Sequence, residues 1–180
     1  MRHLAFQPVH RGTEGRRERT RIGMNAGINC ALANREILGP VLGLNPDQPY
    51  LDWAKRNLCH NSIDPAAHHF CRGDTFHWLR RFAKQGRRFD GIVLDPPTFS
   101  RDEKGKVFRV EENFGELAAL AADLLTPDGW LLCSTNCRNL PLNEFQRQLR
   151  SAIHRPMSAR HSGMPADFSG DAYLKSVWLR

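Results

Sequence analysis

Asp95-Pro96-Pro97-Thr98-Phe99 is where residue type and spacing in this sequence come closest to chemistry. Two consecutive prolines fix the backbone, so the Asp95 carboxylate and the carbonyls that follow it are held with little conformational entropy left to lose. A rigid array of acceptors suits the amino group of a planar base. Phe99 offers a stacking face beside it, and such stacking is worth about 1–3 kcal/mol per base. The plainer alternative is a strand-terminating turn, which Asp-Pro often makes. Asn45, with Asp47 two residues on, and Asp74 also stand just after apolar runs. Taken singly, each reads equally well as a turn former or helix cap. Their recurrence at equivalent places makes them candidate ligands, because open α/β sheets bind at the carboxyl ends of their strands.

The elements that must position these residues are legible from about Val41 onward. Val41 to Leu44 is a short apolar run ended by Asn45-Pro46-Asp47, and Pro49 then opens a helix with Leu51, Ala54 and Leu58 at helical spacing. A strand is expected near His68 to Asp74. A capped helix follows, with Phe76, Leu79 and Phe82 inward and Gly86 at its end. In FDGIVLDPP the contiguous Ile92, Val93 and Leu94 predict a parallel strand covered on both faces. The polar stretch SRDEKGK reads as a loop. A helix over about Glu111 to Leu125 is expected to be closed by Pro127-Asp128-Gly129, followed by the strand GWLLCST, the helix NEFQRQLRSAI and the terminal strand AYLKSVWLR. Strand and helix alternate, which predicts βαβ units and an α/β, doubly wound sheet. The 4 Trp and 10 Phe are expected mostly at core-facing positions.

Composition narrows the classes. The 180 residues carry 26 Lys+Arg against 19 Asp+Glu, a formal net charge of +7, and 41% are hydrophobic. That is an ordinary globular composition able to bury a core, and its positive balance favours a polyanionic partner, nucleic acid first. No apolar run approaches the roughly 18–20 residues that a bilayer span needs, and no signal peptide is visible, so the expected location is cytoplasmic. The 5 cysteines are odd in number and form no C-x-x-C pair, which suits reduced thiols. His68, His69 and Cys71 with Cys59 match no zinc spacing, so no metal site is expected. Arg80/Arg81 and Arg87/Arg88 suit either phosphate contacts or a solvated helix face. RGTEGRRERTR, Arg11 to Arg21, lacks apolar periodicity and reads as a solvated arm.

GLNPDQPYLDWAKRNLCHN, FCRGDTFHWLRRFAKQGRRFDGIVLDPPTFSR, GWLLCSTNC and AYLKSVWL together resemble consecutive blocks of the class I S-adenosylmethionine-dependent methyltransferases that modify 23S ribosomal RNA, the PUA-domain-bearing family among them. The resemblance covers about Val41 to Arg180 in maintained order. It implies a Rossmann-like methyltransferase sheet, a methyltransferase domain over 41–180, S-adenosylmethionine as cofactor and ribosomal RNA as partner. It also implies roles: Asn45 at the cofactor ribose, Asp74 near the adenine, and Asp95, Pro96 and Pro97 where the methyl group meets the base, Asp95 thus touching the cofactor as well; Phe99 joins this catalytic group as the stacking face.

The departures from the family shape the expectation. Asn45 stands where the family has an acidic residue, so a bidentate acceptor for ribose hydroxyls is lost. In place of an apolar first strand and Gly-rich turn the chain has RRERTRIGMNAGIN, where only Asn25-Ala26-Gly27 is similar to the turn. Residues 1–40 are therefore expected to be basic and poorly ordered or rearranged, without the family's N-terminal RNA-binding domain, and the sheet to be incomplete at its N-terminal end. Thr135 occupies the place where cytosine-C5 members carry a nucleophilic Cys, with Cys133 two residues before and Cys137 two after. The expected chemistry is thus methylation of a guanine nitrogen, which needs only positioning. Cytosine-C5 methylation and a catalytically silent RNA-binding remnant are the alternatives.

Overall fold

The computed structural model of the protein describes residues 29–33 in backbone, and residues 42–101, 105–164 and 173–180 in full. A seven-stranded sheet organises them. Its strands are β1 (Asn29–Ala33), β2 (Leu42–Asn45), β3 (His69–Arg72), β4 (Phe89–Asp95), β7 (Leu125–Thr135), β8 (Ala159–Ser162) and β9 (Lys175–Leu179), in the spatial order β3-β2-β1-β4-β7-β9-β8. A separate hairpin pairs β5 (Phe99–Arg101) with β6 (Val107–Arg109). The helices are α1 (Gln48–His60), α2 (Thr75–Lys84), α3 (Val110–Ala122) and α4 (Leu142–Ala152).

Strands β2 and β3 run parallel, as do β4 and β7, while β9 runs antiparallel to β7 and to β8. Between the two parallel pairs lies β1, antiparallel to both β2 and β4. Within the stretch 1–40, residues 29–33 thus lend the sheet a central strand in reversed direction. The Arg11 to Arg21 run and Asn25-Ala26-Gly27 lie outside the described residues.

The side-chain period of two divides the sheet into unlike faces. One face carries Leu42, Leu44, Ile92, Leu94, Leu131, Cys133, Val177 and Leu179, all buried in the main core. Helix α2 contributes Phe76, Leu79 and Phe82 to that core, α3 Phe114, Leu117, Ala118 and Ala121, and α4 Phe145 and Leu149. Phe114 meets Phe145 edge-on at 4.9 Å. Burial of each Phe, Leu, Ile or Val among them stabilises the fold by about 1.5–3 kcal/mol before entropy is counted. The other face carries Phe70, Val93, Leu132, Trp130 and Trp178. Helix α1 packs on its β2 and β3 end, with Lys55 Nζ 5.3 Å above the Phe70 ring.

Four sequence expectations need correction. SRDEKGK is not simply a loop, because Ser100 and Arg101 belong to the β5–β6 hairpin. The helix expected to reach Leu125 ends at Ala122, while Pro127-Asp128-Gly129 does turn the chain, as a bulge within the span of β7 in which Gly129 folds back against Leu125 and Thr126. The Arg155 guanidinium donates to the carbonyls of Ala122 (3.4 Å), Leu125 (3.5 Å), Thr126 (3.2 Å) and Pro127 (3.0 Å), so the carbonyls of this folded-back segment find donors. Strand β8 was not anticipated. Finally, only Trp78 of the four tryptophans packs against the main core: Trp53 is 50% and Trp178 39% exposed, and Trp130 is half-buried on the opposite face.

Candidate functional site

Asn45, Asp74 and Asp95 all stand at the carboxyl ends of the parallel strands β2, β3 and β4, on one edge of the sheet. Cys30 pairs with both Leu44 and Leu94, so Asn45 and Asp95 end their strands at the same level, two strands apart. At the usual interstrand spacing that is about 10 Å. Asn29 is the residue paired with Asp95. Asp74 follows two residues after Arg72, which pairs with Asn45.

Two of the three hold part of the scaffold as well. Asn45 is 5% exposed, and its Oδ1 accepts from the Asp47 N–H at 2.7 Å. Asp74 caps α2, its Oδ1 accepting from the His77 N–H at 2.7 Å. The β3 exit is tightened further: Trp78 Nε1 donates to the Arg72 carbonyl at 3.0 Å and lies against Gly73, whose φ of +131° favours glycine. These two polar residues therefore occupy the cap and turn roles their types suggest, at the places where a ligand of this sheet edge would lie.

Asp95 differs. Its residue reaches solvent at the strand end, yet the protein mass around its carboxyl dehydrates the group and pushes it above the ordinary carboxylate range. Pro96 is buried and Pro97 half-buried, so the turn that carries Asp95 is anchored. Phe99 opens β5 and is 43% exposed, with the Arg109 guanidinium 5.3 Å from its ring. The Val110 N–H donates to the Thr98 carbonyl at 3.1 Å, tying the connection to the start of α3.

Cys137 is 4% exposed and its thiol donates to Glu111 Oε1 at 3.1 Å. Burial first, and that hydrogen bond second, push the thiol up from its ordinary value. The Thr135 hydroxyl accepts from the Cys137 N–H at 3.1 Å. Sequence reasoning missed Lys175, which pairs with Thr135 across β7 and β9 and whose Nζ donates to the carbonyls of Cys137 (2.7 Å) and Tyr173 (2.9 Å). The alternation in AYLKSVWLR was the available signal. It missed Ser134 and Ser176 as well, whose hydroxyls share a hydrogen bond of 3.1 Å.

The arginines that suit either phosphate contacts or a solvated helix face are partly engaged by the chain itself. Arg80 pairs with Glu116 at 2.6 Å, Arg81 lies 5.0 Å from the Trp78 ring, and Arg87 covers Phe82 and Phe89. Among the described residues there is no group of three His, Cys, Asp or Glu placed to hold a metal ion, and no helix long and apolar enough to cross a membrane.

No protein-family model matches the chain. It is 42% identical over 97 residues to the ribosomal RNA large subunit methyltransferase K of Neisseria meningitidis serogroup B, covering 53% of this chain and 27% of that one. It is 35% identical over 130 residues to methyltransferase K/L of Saccharophagus degradans (72% and 16%) and 36% identical over 134 residues to methyltransferase I of Yersinia pseudotuberculosis (69% and 33%). The chain thus spans a third or less of the length of these relatives. In fold it is similar to SMU.776, crystallised with SAH (TM-score 0.71, 21% identity, 77% of this chain and 38% of that one). A SAM-dependent methyltransferase from Agrobacterium tumefaciens matches at a TM-score of 0.63 and 16% identity, over 77% and 47%. At these identities the likeness to solved structures is one of fold.

Proposed function

Because the chain belongs to the large-subunit ribosomal RNA methyltransferase family and has its Rossmann-like class I methyltransferase sheet, we propose that residues 41–180, with the strand lent by 29–33, transfer the methyl group of S-adenosylmethionine to a base of ribosomal RNA. A cytoplasmic location goes with that substrate. The observation that carries the reading is the placement of Asp95, whose carboxyl ends β4 on a turn anchored by buried Pro96 at the carboxyl end of the parallel strands.

S-adenosylmethionine supplies the electrophilic methyl group when bound. Of this chain's residues, Asn45 would hold the ribose hydroxyls and Asp74 the adenine side. The fit is partial, since Asn45 offers a carboxamide whose oxygen already accepts from Asp47. Weak cofactor binding is the consequence.

At the reacting base, the ionised Asp95 carboxylate accepts an N–H of the guanine edge, with Pro96 and Pro97 holding it in place. A base nitrogen aimed this way presents its lone pair to the methyl group, and the carboxylate takes up the proton that the nitrogen sheds. A base stacked over the site would exclude water from that hydrogen bond and strengthen it. Phe99, already flanked on one side by Arg109, offers its exposed ring to a neighbouring base.

Cytosine-C5 chemistry is less well supported, because it needs a thiolate. Cys137 is buried, donates to Glu111 and is pushed toward its neutral form. The silent, RNA-binding reading has one specific observation in its favour, the commitment of the Asn45 oxygen to its own turn. Calorimetry with S-adenosylhomocysteine, and methyl transfer to undermodified ribosomal RNA, separate these readings.

A further inference from the structure

The sheet face opposite the main core has a composition that enzyme chemistry at Asp95 does not explain. Across β4, β7, β9 and β8 the paired residues on this face form two rows. One is aromatic and apolar: Val93 pairs with Leu132, Leu132 with Trp178, and Trp178 with Arg160. The next row toward the binding edge is hydroxylic: Ser134 pairs with Ser176, and Ser176 with Ser162. That second row ends at Asp95, one residue beyond the Leu94–Cys133 pair. Trp130 adds a second ring, 5.1 Å from Trp178 and tilted by 48° to it. It lies across Gly91, where any Cβ would overlap the indole.

We propose that this face of β7, β9 and β8 is a platform for single-stranded RNA, on which bases stack over Trp130 and Trp178 while Arg160 meets the phosphates, and from which the strand runs to Asp95. The inference rests on the RNA substrate proposed above. Charge complementarity selects the occupant. The groove on this face, lined by Trp130, Trp178, Ser162, Arg160 and Arg180 among others, holds two guanidiniums and no side-chain carboxylate. The Arg180 main-chain oxygen accepts from the Ser158 N–H and hydroxyl and is thereby held against β8. The chain's own Arg11 to Arg21 run, with five arginines and two glutamates, has the wrong sign for this groove. A second copy would set an arginine-flanked patch against itself. A polyanion with stackable rings complements both features, as on other sheets that display aromatics to unpaired bases.

The test is titration of the full chain with a fluorescently labelled single-stranded oligoribonucleotide without cofactor, competed with its duplex form and followed also by tryptophan fluorescence. Expected is quenching of tryptophan emission, preference for the single strand, and a loss of about tenfold or more in affinity for Trp178→Ala. Trp178→Phe should retain most of the affinity. Arg160→Glu should weaken binding and lower the salt slope by about one. Affinity for S-adenosylhomocysteine should stay unchanged in all three. Wild-type RNA affinity in both Trp178→Ala and Arg160→Glu overturns the inference. So does a dimer dissolved by Trp178→Ala, or shielding of tryptophan from acrylamide in the RNA-free protein, since either shows the face already covered. If RNA binding depends on Trp178 while no methyl transfer occurs, the platform stands and the proposed activity falls.

Discussion

The Cys137 thiol donates to the Glu111 carboxylate at 3.1 Å, and burial first, then that contact, favours its protonated form. A serine at this position keeps a donor for Glu111 and the main-chain bond to Thr135. Cys137→Ser is therefore expected to retain methyl transfer, with a stability loss of about 1 kcal/mol or less. Assay of the variant beside the parent chain checks this. Loss of transfer together with a 5-methylcytosine product would establish the cysteine as a nucleophile.

Asp95 carries the opposite expectation for stability. Its folded value is raised above that of an unfolded chain, so the fold binds this proton more tightly and ionising the group costs stability. That cost is absent below the unfolded carboxylate range, sets in as pH rises through the raised value, and persists above it. Asp95→Asn should then leave the thermal midpoint unchanged at low pH and raise it at neutral pH. Melting curves at both values decide the point, and a lowered midpoint at neutral pH would contradict it. Transfer by the unaltered chain should fall on acidification at a pH above the ordinary carboxylate range, because the acceptor form of Asp95 is lost.

Asn45→Asp replaces a carboxamide by a carboxylate, the acidic type that the family carries at this strand end. Charge-assisted bonds to hydroxyls are roughly twice as strong as neutral ones, so affinity for S-adenosylhomocysteine should rise about tenfold. Calorimetry on the two proteins measures it directly. Equal affinity would mean that contacts other than the ribose limit binding.

Gly91→Ala should destabilise the fold by about 1–3 kcal/mol, because a methyl group there forces Trp130 off β4. Urea unfolding with an unchanged slope and a lowered midpoint is the expected result. An unchanged midpoint would show that the indole moves at no cost.

Much of the scaffold is legible in the sequence for a physical reason. Ile92 and Leu94 are buried in the core with Val93 half-buried on the other face, and Phe145 and Leu149 are buried on one side of a helix, so their patterns are strong. Strand β8 reads as ARHS because it needs only backbone pairing to β9 and contributes little to the core. The β5–β6 hairpin is equally quiet, with three residues in each strand and one buried side chain, Phe108. The reversed direction of β1 has no sequence signature at all, since direction is set by pairing partners. At the site, Asp95 stood out because proline leaves a mark. The scaffold roles of Asn45 and Asp74 are those of any Asx turn or N-cap, so residue type alone could not separate scaffold from ligand. Lys175 and the Ser134–Ser176 pair are brought to the edge by register, which a linear reading does not contain.

The most direct measurement is radiolabelled methyl transfer to undermodified large-subunit ribosomal RNA, with mass analysis of the product nucleoside, for the unaltered chain and Asp95→Ala. The expected result is a methylguanine from the unaltered chain, and a loss of at least about 100-fold in Asp95→Ala with its fold and RNA affinity nearly unchanged. No transfer by the unaltered chain, or transfer undiminished in Asp95→Ala, would contradict the assignment of the reaction to this sheet edge.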